Sequence, residues 1–167
     1  AFHPALIGHG AGYGVYDKLK ESLGRDVNYF FNVDPISIWL TNEKSLRAPL
    51  PAMIKMVGEE YEKARPGTQV RSAHVGMSAS NTYVFMTEVL PRAIKKHGGI
   101  DAEALRKAAL EVDLPDGGSM LGFGVKFAGE GSPMAGQNER AFPVILQYID
   151  DQANIVWPKS LQRRGAR

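Results

Sequence analysis

Gly122–Pro158, GFGVKFAGEGSPMAGQNERAFPVILQYIDDQANIVWP, is the stretch whose reading decides the fold. Gly124–Phe127 reads as a strand, Ala128–Asn138 as a loop rich in Gly, Ser and Pro, and Phe142–Tyr148 as a second strand. The polar turn Asp150-Asp151-Gln152-Ala153-Asn154 follows. A short apolar run, Ile155–Trp157, is then stopped by Pro158.

Upstream, the apolar run Ala5–Ile7 ends in the glycine-rich turn Gly8-His9-Gly10-Ala11-Gly12-Tyr13-Gly14. Val15, Leu19 and Leu23 stand four apart and predict a helix that Gly24 stops. Val27–Val33, aromatic and β-branched, predicts a strand, which makes the N-terminal segment a β-α-β unit of a parallel sheet. Three helices are expected next. The first runs from about Ala52 to Arg65, with Met53, Ile54, Val57, Tyr61 and Ala64 on one face, and Pro66-Gly67 ends it. The second, Ser72 to His97, should kink or break near Leu90 because Pro91 has no N–H for the helical ladder. The third, Ala102–Val112, is capped by Asp101 and buries Leu105, Ala108, Ala109 and Val112. Asp113–Ser119 reads as a connector.

The 167 residues are enough for a core, with 44% apolar content. Lys+Arg at 20 against Asp+Glu at 18 leaves little excess charge, and the basic tail Arg163-Arg164-Gly165-Ala166-Arg167 accounts for it, so nothing points to nucleic acid. No run approaches the ~18 apolar residues of a membrane span. The chain holds no cysteine, which excludes disulfides, thiolate metal sites and cysteine nucleophiles. His3, His9, His74 and His97 lack metal-ligand spacing, and neither G-x-S-x-G nor H-E-x-x-H occurs, so neither an enzyme nor a cofactor or metal site is expected. Ala1-Phe2-His3-Pro4 runs almost at once into a strand, and no signal peptide is legible.

The tract Gly122–Pro158 resembles the C-terminal signature of leucine/isoleucine/valine-type (type I) periplasmic solute-binding proteins of bacterial ABC transporters. The likeness lies in its glycine-rich strand and loop, the pair Gln137-Asn138, the apolar strand to Gln147 and the closing Val156-Trp157-Pro158. Ala93–Leu110 carries a second strong part of the resemblance. Those proteins are about twice this length, so the resemblance implies the C-terminal half of one, with the N-terminal half missing. It further implies an α/β, two-lobed fold of parallel sheets flanked by helices. Residues 1–33 would be a β-α-β unit of the second lobe, 34–128 a helical segment of the first, and 129–167 the returning strands and tail of the second. Hinge passages would lie near Val33–Asp34 and Phe127–Gly129. The implied function is the periplasmic, extracytoplasmic ligand-capture component of an importer. It closes over a small solute by a hinge motion and docks on a membrane permease.

The turn Gly8–Gly14 also invites a nucleotide reading, since Asp34 ends the next strand where a ribose-binding acid would stand. The spacing fails, because Tyr13 or Val15 occupies the place of the third glycine of G-x-G-x-x-G. A nucleotide-dependent enzyme is therefore the alternative, together with a sensory module of the same fold. In the family, aliphatic-amino-acid binders carry a Glu in this turn for the ligand's ammonium; the aligned position here is Gly10, or His9 with a shifted gap. A buried ammonium without a carboxylate would cost several kcal/mol. A free α-amino acid is thus disfavoured unless Asp34 or another acid substitutes. A hydrophobic or aromatic carboxylate or an amide fits better, with His9 and Tyr13 as donors. His74, Met77 and Asn81, in the polar run that opens the long helix, form a second candidate cluster, and helix capping is its plainer reading. Trp39 is a candidate cap for an apolar pocket, or simple packing.

Overall fold

The computed structural model describes residues 8–10, 16–67, 73–150 and 152–162. A four-stranded sheet has the order β1-β2-β5-β6, formed by β1 (Gly8–Gly10), β2 (Phe31–Asp34), β5 (Val144–Ile149) and β6 (Gln152–Trp157). β1 and β2 run parallel, with Gly8 opposite Phe31, and α1 (Tyr16–Leu23) lies between them in sequence, the order of the β-α-β reading. β1 itself falls on Gly8–Gly10, read from sequence as part of the turn, and the expected strand Ala5–Ile7 lies outside the described residues. The other two pairings are antiparallel, so the sheet is mixed rather than wholly parallel. The reason is local. Ile149 pairs with Gln152 across a turn of two residues, and a connection that short can join only antiparallel strands. Asp150 takes φ 47° there, a left-handed conformation that a short acidic side chain tolerates.

The expected strand boundaries shift where proline and glycine intervene. β5 begins at Val144 rather than Phe142, because Pro143 cannot donate to a ladder. The strand expected at Gly124–Phe127 is only β4 (Val125–Lys126), and it pairs with β3 (Asp113–Leu114), inside the segment read as a connector. Side chains complete this small ribbon. Asn138 Oδ1 accepts the N–H groups of Lys126 and Arg140, while its Nδ2 donates to the Gly124 carbonyl. The Arg140 guanidinium donates to the Leu114 carbonyl and pairs with Asp113. The loop between β4 and Asn138 closes on itself, Ala128 N–H to Gln137 O and Gly136 N–H to Ala128 O at 2.9 Å each.

α2 (Leu50–Ala64) starts two residues earlier than the periodicity indicates, because Pro51 falls in the first turn, where a missing N–H costs nothing. The long helical region is continuous but changes pitch. α3 (Ala73–Val84) leads into a π-helical turn, Phe85–Val89, and then α4 (Leu90–His97). Pro91 would press its ring on the carbonyl four residues back, and the wider turn makes room. Leu90 N–H donates to Phe85 O, Thr87 Oγ1 to Tyr83 O and Arg92 to Glu88 O, so the distorted ladder keeps its hydrogen bonds. The break expected near Leu90 is thus a bulge. α5 (Ala102–Leu110) is capped as expected, Asp101 Oδ1 accepting from Glu103 and Ala104 N–H at 3.0 Å.

Two clusters hold these elements. Ala93, Ala104, Ala108 and Val112 pack with Val84, Val89 and Val125 between the helices and the ribbon. The larger cluster draws Ile36, Ile38, Leu50 and Ile54 against Val144, Leu146 and Ile155, with Met120, Leu121 and Phe123 between. Burying each such side chain contributes roughly 2 kcal/mol. Gly76 lets α3 approach, since an added Cβ would lie 2.9 Å from Ile38 Cγ1.

Two predictions follow from this packing. A Cβ on Gly124 would meet the Leu114 carbonyl oxygen inside contact distance and Arg140 Cδ at 2.7 Å, whereas one on Gly129 would meet nothing within 4 Å. Gly124→Ala should therefore lower the urea-unfolding free energy by about 2 kcal/mol or more, and Gly129→Ala by less than about 0.5 kcal/mol. The second concerns Glu111, which holds Lys96 Nζ at 2.9 Å and His97 Nε2 at 3.1 Å and so ties α5 to α4. The Lys96 ammonium, aided by His97, keeps its carboxyl below the usual carboxylate range. A carboxylate whose pKa is lower folded than unfolded stabilises above its unfolded value and loses that contribution as pH falls through its folded value. Glu111→Gln should accordingly be less stable than the parent near neutrality and match it once Glu111 is protonated, as read by urea midpoints across the acid range.

Candidate functional site

β2 leaves the sheet at Asp34 because Pro35 cannot continue the ladder, and Pro143 sets the same limit on β5, whose Val144 pairs with Asp34. The two prolines end these neighbouring strands at one level. Beyond that end lies a cleft of about 320 Å³, within the range of small-molecule sites. The sheet side of its wall is Val33, Asp34, Pro35 and the segment Ala141–Pro143; Met77 of α3, Leu121 and Phe123 form the other side.

The loop carrying Leu121 and Phe123 is held by its own hydrogen bonds. Ser119 Oγ donates to Phe123 O at 2.6 Å, Gly122 N–H to Ser119 O, and Gly117 N–H to Gly122 O. Gly122, at φ 88°, takes the left-handed conformation this turn requires. Phe123 meets Phe142 across the cleft wall with ring centroids 5.5 Å apart and planes tilted by 55°, a contact that contributes about 1 kcal/mol beyond its burial. Asp34 is the one ionisable group among the described lining residues. It is 1% exposed, and Asn32 Nδ2 donates to its Oδ2 at 3.1 Å, which fixes the carboxylate on the buried face of β2.

Of the residues singled out from sequence, Asp34 and Met77 line this cleft. Trp39 does not; it packs on the larger core over Gly58 of α2, where an added Cβ would lie 3.2 Å from its ring. Asn81 is exposed, one turn along α3 from Met77. His9 and Gly10 lie in β1 opposite Asn32 and Val33, and His74 lies in the first turn of α3; their side chains are outside the described residues, as is Tyr13. Phe123, Phe142 and Leu121 were not singled out from sequence. The signal that finds them is the repeated X-Pro at the strand ends, Asp34-Pro35 and Phe142-Pro143, which stops both strands side by side.

No described helix is long and apolar enough to cross a membrane. No protein-family model matches the chain. Among curated proteins it is similar to Leu/Ile/Val-binding protein homolog 8 of Brucella abortus (strain 2308), 28% identical over 157 residues, which are 93% of this chain and 34% of the relative. It is likewise similar to Leu/Ile/Val-binding protein homolog 7 of Brucella suis biovar 1 (strain 1330), 29% identical over 155 residues, 92% of this chain and 34% of that protein. Homolog 7 of Brucella abortus (strain 2308) is 30% identical over the same extent. The chain thus spans about a third of the length of the curated relatives it matches. Matched along nearly all of its own length to that part of theirs, the mixed α/β chain is similar to a part of these Leu/Ile/Val-binding protein homologs, as a fragment of a type I periplasmic-binding-protein-like fold would be.

Proposed function

We propose that this chain is the C-terminal part of an extracytoplasmic, periplasmic solute-binding protein that captures a small apolar solute and presents it to the permease of an ABC importer. The observation that carries the reading is the cleft between the ends of β2 and β5 and the Met77–Leu121–Phe123 wall, apolar but for Asp34, in a chain whose relatives are named as binding proteins. Residues 1–33 and 129–167 would belong to one lobe and 34–128 to the other. The chain would pass between them near Val33–Asp34 and again near Phe127–Gly129. A solute touching both sides of the cleft would favour the closed arrangement by the difference in its contacts with the two states. The work is binding without chemistry: apolar walls supply affinity, and a single polar group orients the solute. His9, Gly10, Tyr13 and His74 would complete the site from β1, the following turn and α3.

A thermal-shift screen of the full-length protein against branched-chain amino acids, aromatic carboxylates, short amides and apolar amines tests this. One class should raise the melting temperature, and a flat response to all of them would overturn the proposal. With the solute so found, Phe142→Ala in the full-length protein should weaken calorimetric binding roughly tenfold, since a wall aromatic is worth more than 1 kcal/mol. Unchanged affinity would move the site elsewhere. The 167-residue chain alone should bind the same solute weakly or not at all. Micromolar or tighter binding by it would show that no further segment is needed.

A further inference from the structure

We infer that Asn138 is a positioning residue for the solute: its side-chain amide sets Phe123 and Phe142 against each other and so fixes the aromatic wall of the cleft. The inference rests on the cleft being the solute site. The two rings come from distant segments, yet their centroids lie 5.5 Å apart. Phe142 stands before Pro143, outside the ladder that β5 begins at Val144, so its approach is set from upstream. There Asn138 O accepts the Ala141 N–H and Asn138 Oδ1 accepts the Arg140 N–H, each at 3.1 Å. These bonds fold residues 138–141 into the turn that delivers Phe142 to the wall.

The same amide reaches the segment of the other ring. Its Oδ1 also accepts Lys126 N–H at 2.9 Å, and its Nδ2 donates to Gly124 O at 3.0 Å, one residue after Phe123. The peptide joining Phe123 to Gly124 is held as well, its carbonyl by Ser119 Oγ and its N–H by Asp116 Oδ1. Arg140 supports the arrangement. Its guanidinium donates to Leu114 O and pairs with Asp113, and its Cδ packs where a Cβ on Gly124 would lie, 2.7 Å away. An amide offers acceptor lone pairs and N–H donors on one planar group, whereas a carboxylate of the same shape only accepts. Both aromatic segments are thereby keyed to the ribbon of β3 and β4, while Val33, Asp34 and Pro35 on the facing side belong to the sheet. A change at Asn138 therefore moves one side of the cleft and leaves the other in place.

The test uses the full-length protein and two readouts. With para-fluorophenylalanine in place of Phe142, Phe123→Leu should displace the fluorine resonance, because the neighbouring ring current is lost. Asn138→Asp, which keeps the acceptors and removes the donor to Gly124 O, should displace it in the same direction. Asp101→Ala, which removes the cap of α5 far from either ring, should lower stability and leave the resonance in place. A resonance that Phe123→Leu or Asn138→Asp leaves unmoved overturns the inference. The protein is also titrated with whichever of leucine, phenylacetate, isobutyramide and isoamylamine raises its melting temperature. Asn138→Asp should weaken binding about fivefold in the parent and add nothing in the Phe142→Ala background, the coupling expected of residues that act through one another. Equal weakening in both backgrounds, or the same weakening from Asp101→Ala, overturns the inference. Should Asn138→Asp not fold, Arg140→Lys keeps the charge, loses the fork that reaches both Asp113 and Leu114 O, and is expected to give the same two signatures. If a probe binds and these signatures are missing, this inference falls and the solute-binding proposal stands; if none of the probes binds, both fall.

Discussion

The antiparallel pairing of β2 with β5 is the constraint on which the rest depends. It sets Phe31–Asp34 against Val144–Gln147, so nearly the whole helical middle of the chain hangs as one loop from a four-residue register. Asn32 sits opposite Leu146 and Asp34 opposite Val144, which puts an amide and a carboxylate on the sheet face that also carries the core residues Val144 and Leu146. That face would be purely apolar in an ordinary sandwich. Here the larger cluster covers most of it, and the polar pair is tolerated because each side chain orients the other. A pairing of such long sequence separation closes late and slowly, after local helices have formed.

Much of the secondary structure was legible. The cap of α5 at Asp101 and the stop of α2 before Pro66-Gly67 each follow from one or two residues acting through the local backbone. Features that depend on two distant segments were not legible. β3 has two residues, and nothing in Asp113-Leu114 marks a strand until Lys126 and Val125 lie beside it. The π-turn at Phe85–Val89 was half readable: Pro91 announces a disturbance, but whether a helix breaks or widens depends on packing around Val84, Val89 and Ala93. The turn before the last strand reads from sequence as Asp150–Asn154, but Gln152, Ala153 and Asn154 already pair in β6, because a polar stretch becomes a strand once Ile149, Tyr148 and Gln147 lie beside it.

The cleft was the least legible part. Asp34 and Met77 were reached from sequence, but its aromatic wall comes from Phe123 and Phe142, which read separately as ordinary strand residues. Sequence periodicity assigns a face and does not say that two strand ends stop level with each other. The family relationship helped with the scaffold more than with the solute. The chemistry of the wall is particular to the side chains that this chain puts there.

The self-closed loop between β4 and Asn138 has a practical bearing on how this protein can be watched at work. Its tip is tied to itself through Ala128, Gly136 and Gln137 and to α5 through the exposed pair Arg106–Glu130, so a bulky group there disturbs little of either core. The chain contains no cysteine, and Met134 in this loop is exposed. Met134→Cys would place a unique thiol in this chain on the stretch that leads into the cleft wall at Ala141–Pro143. A dye attached at that thiol would report changes in the wall optically, in a protein whose native residues offer no competing attachment point within this chain.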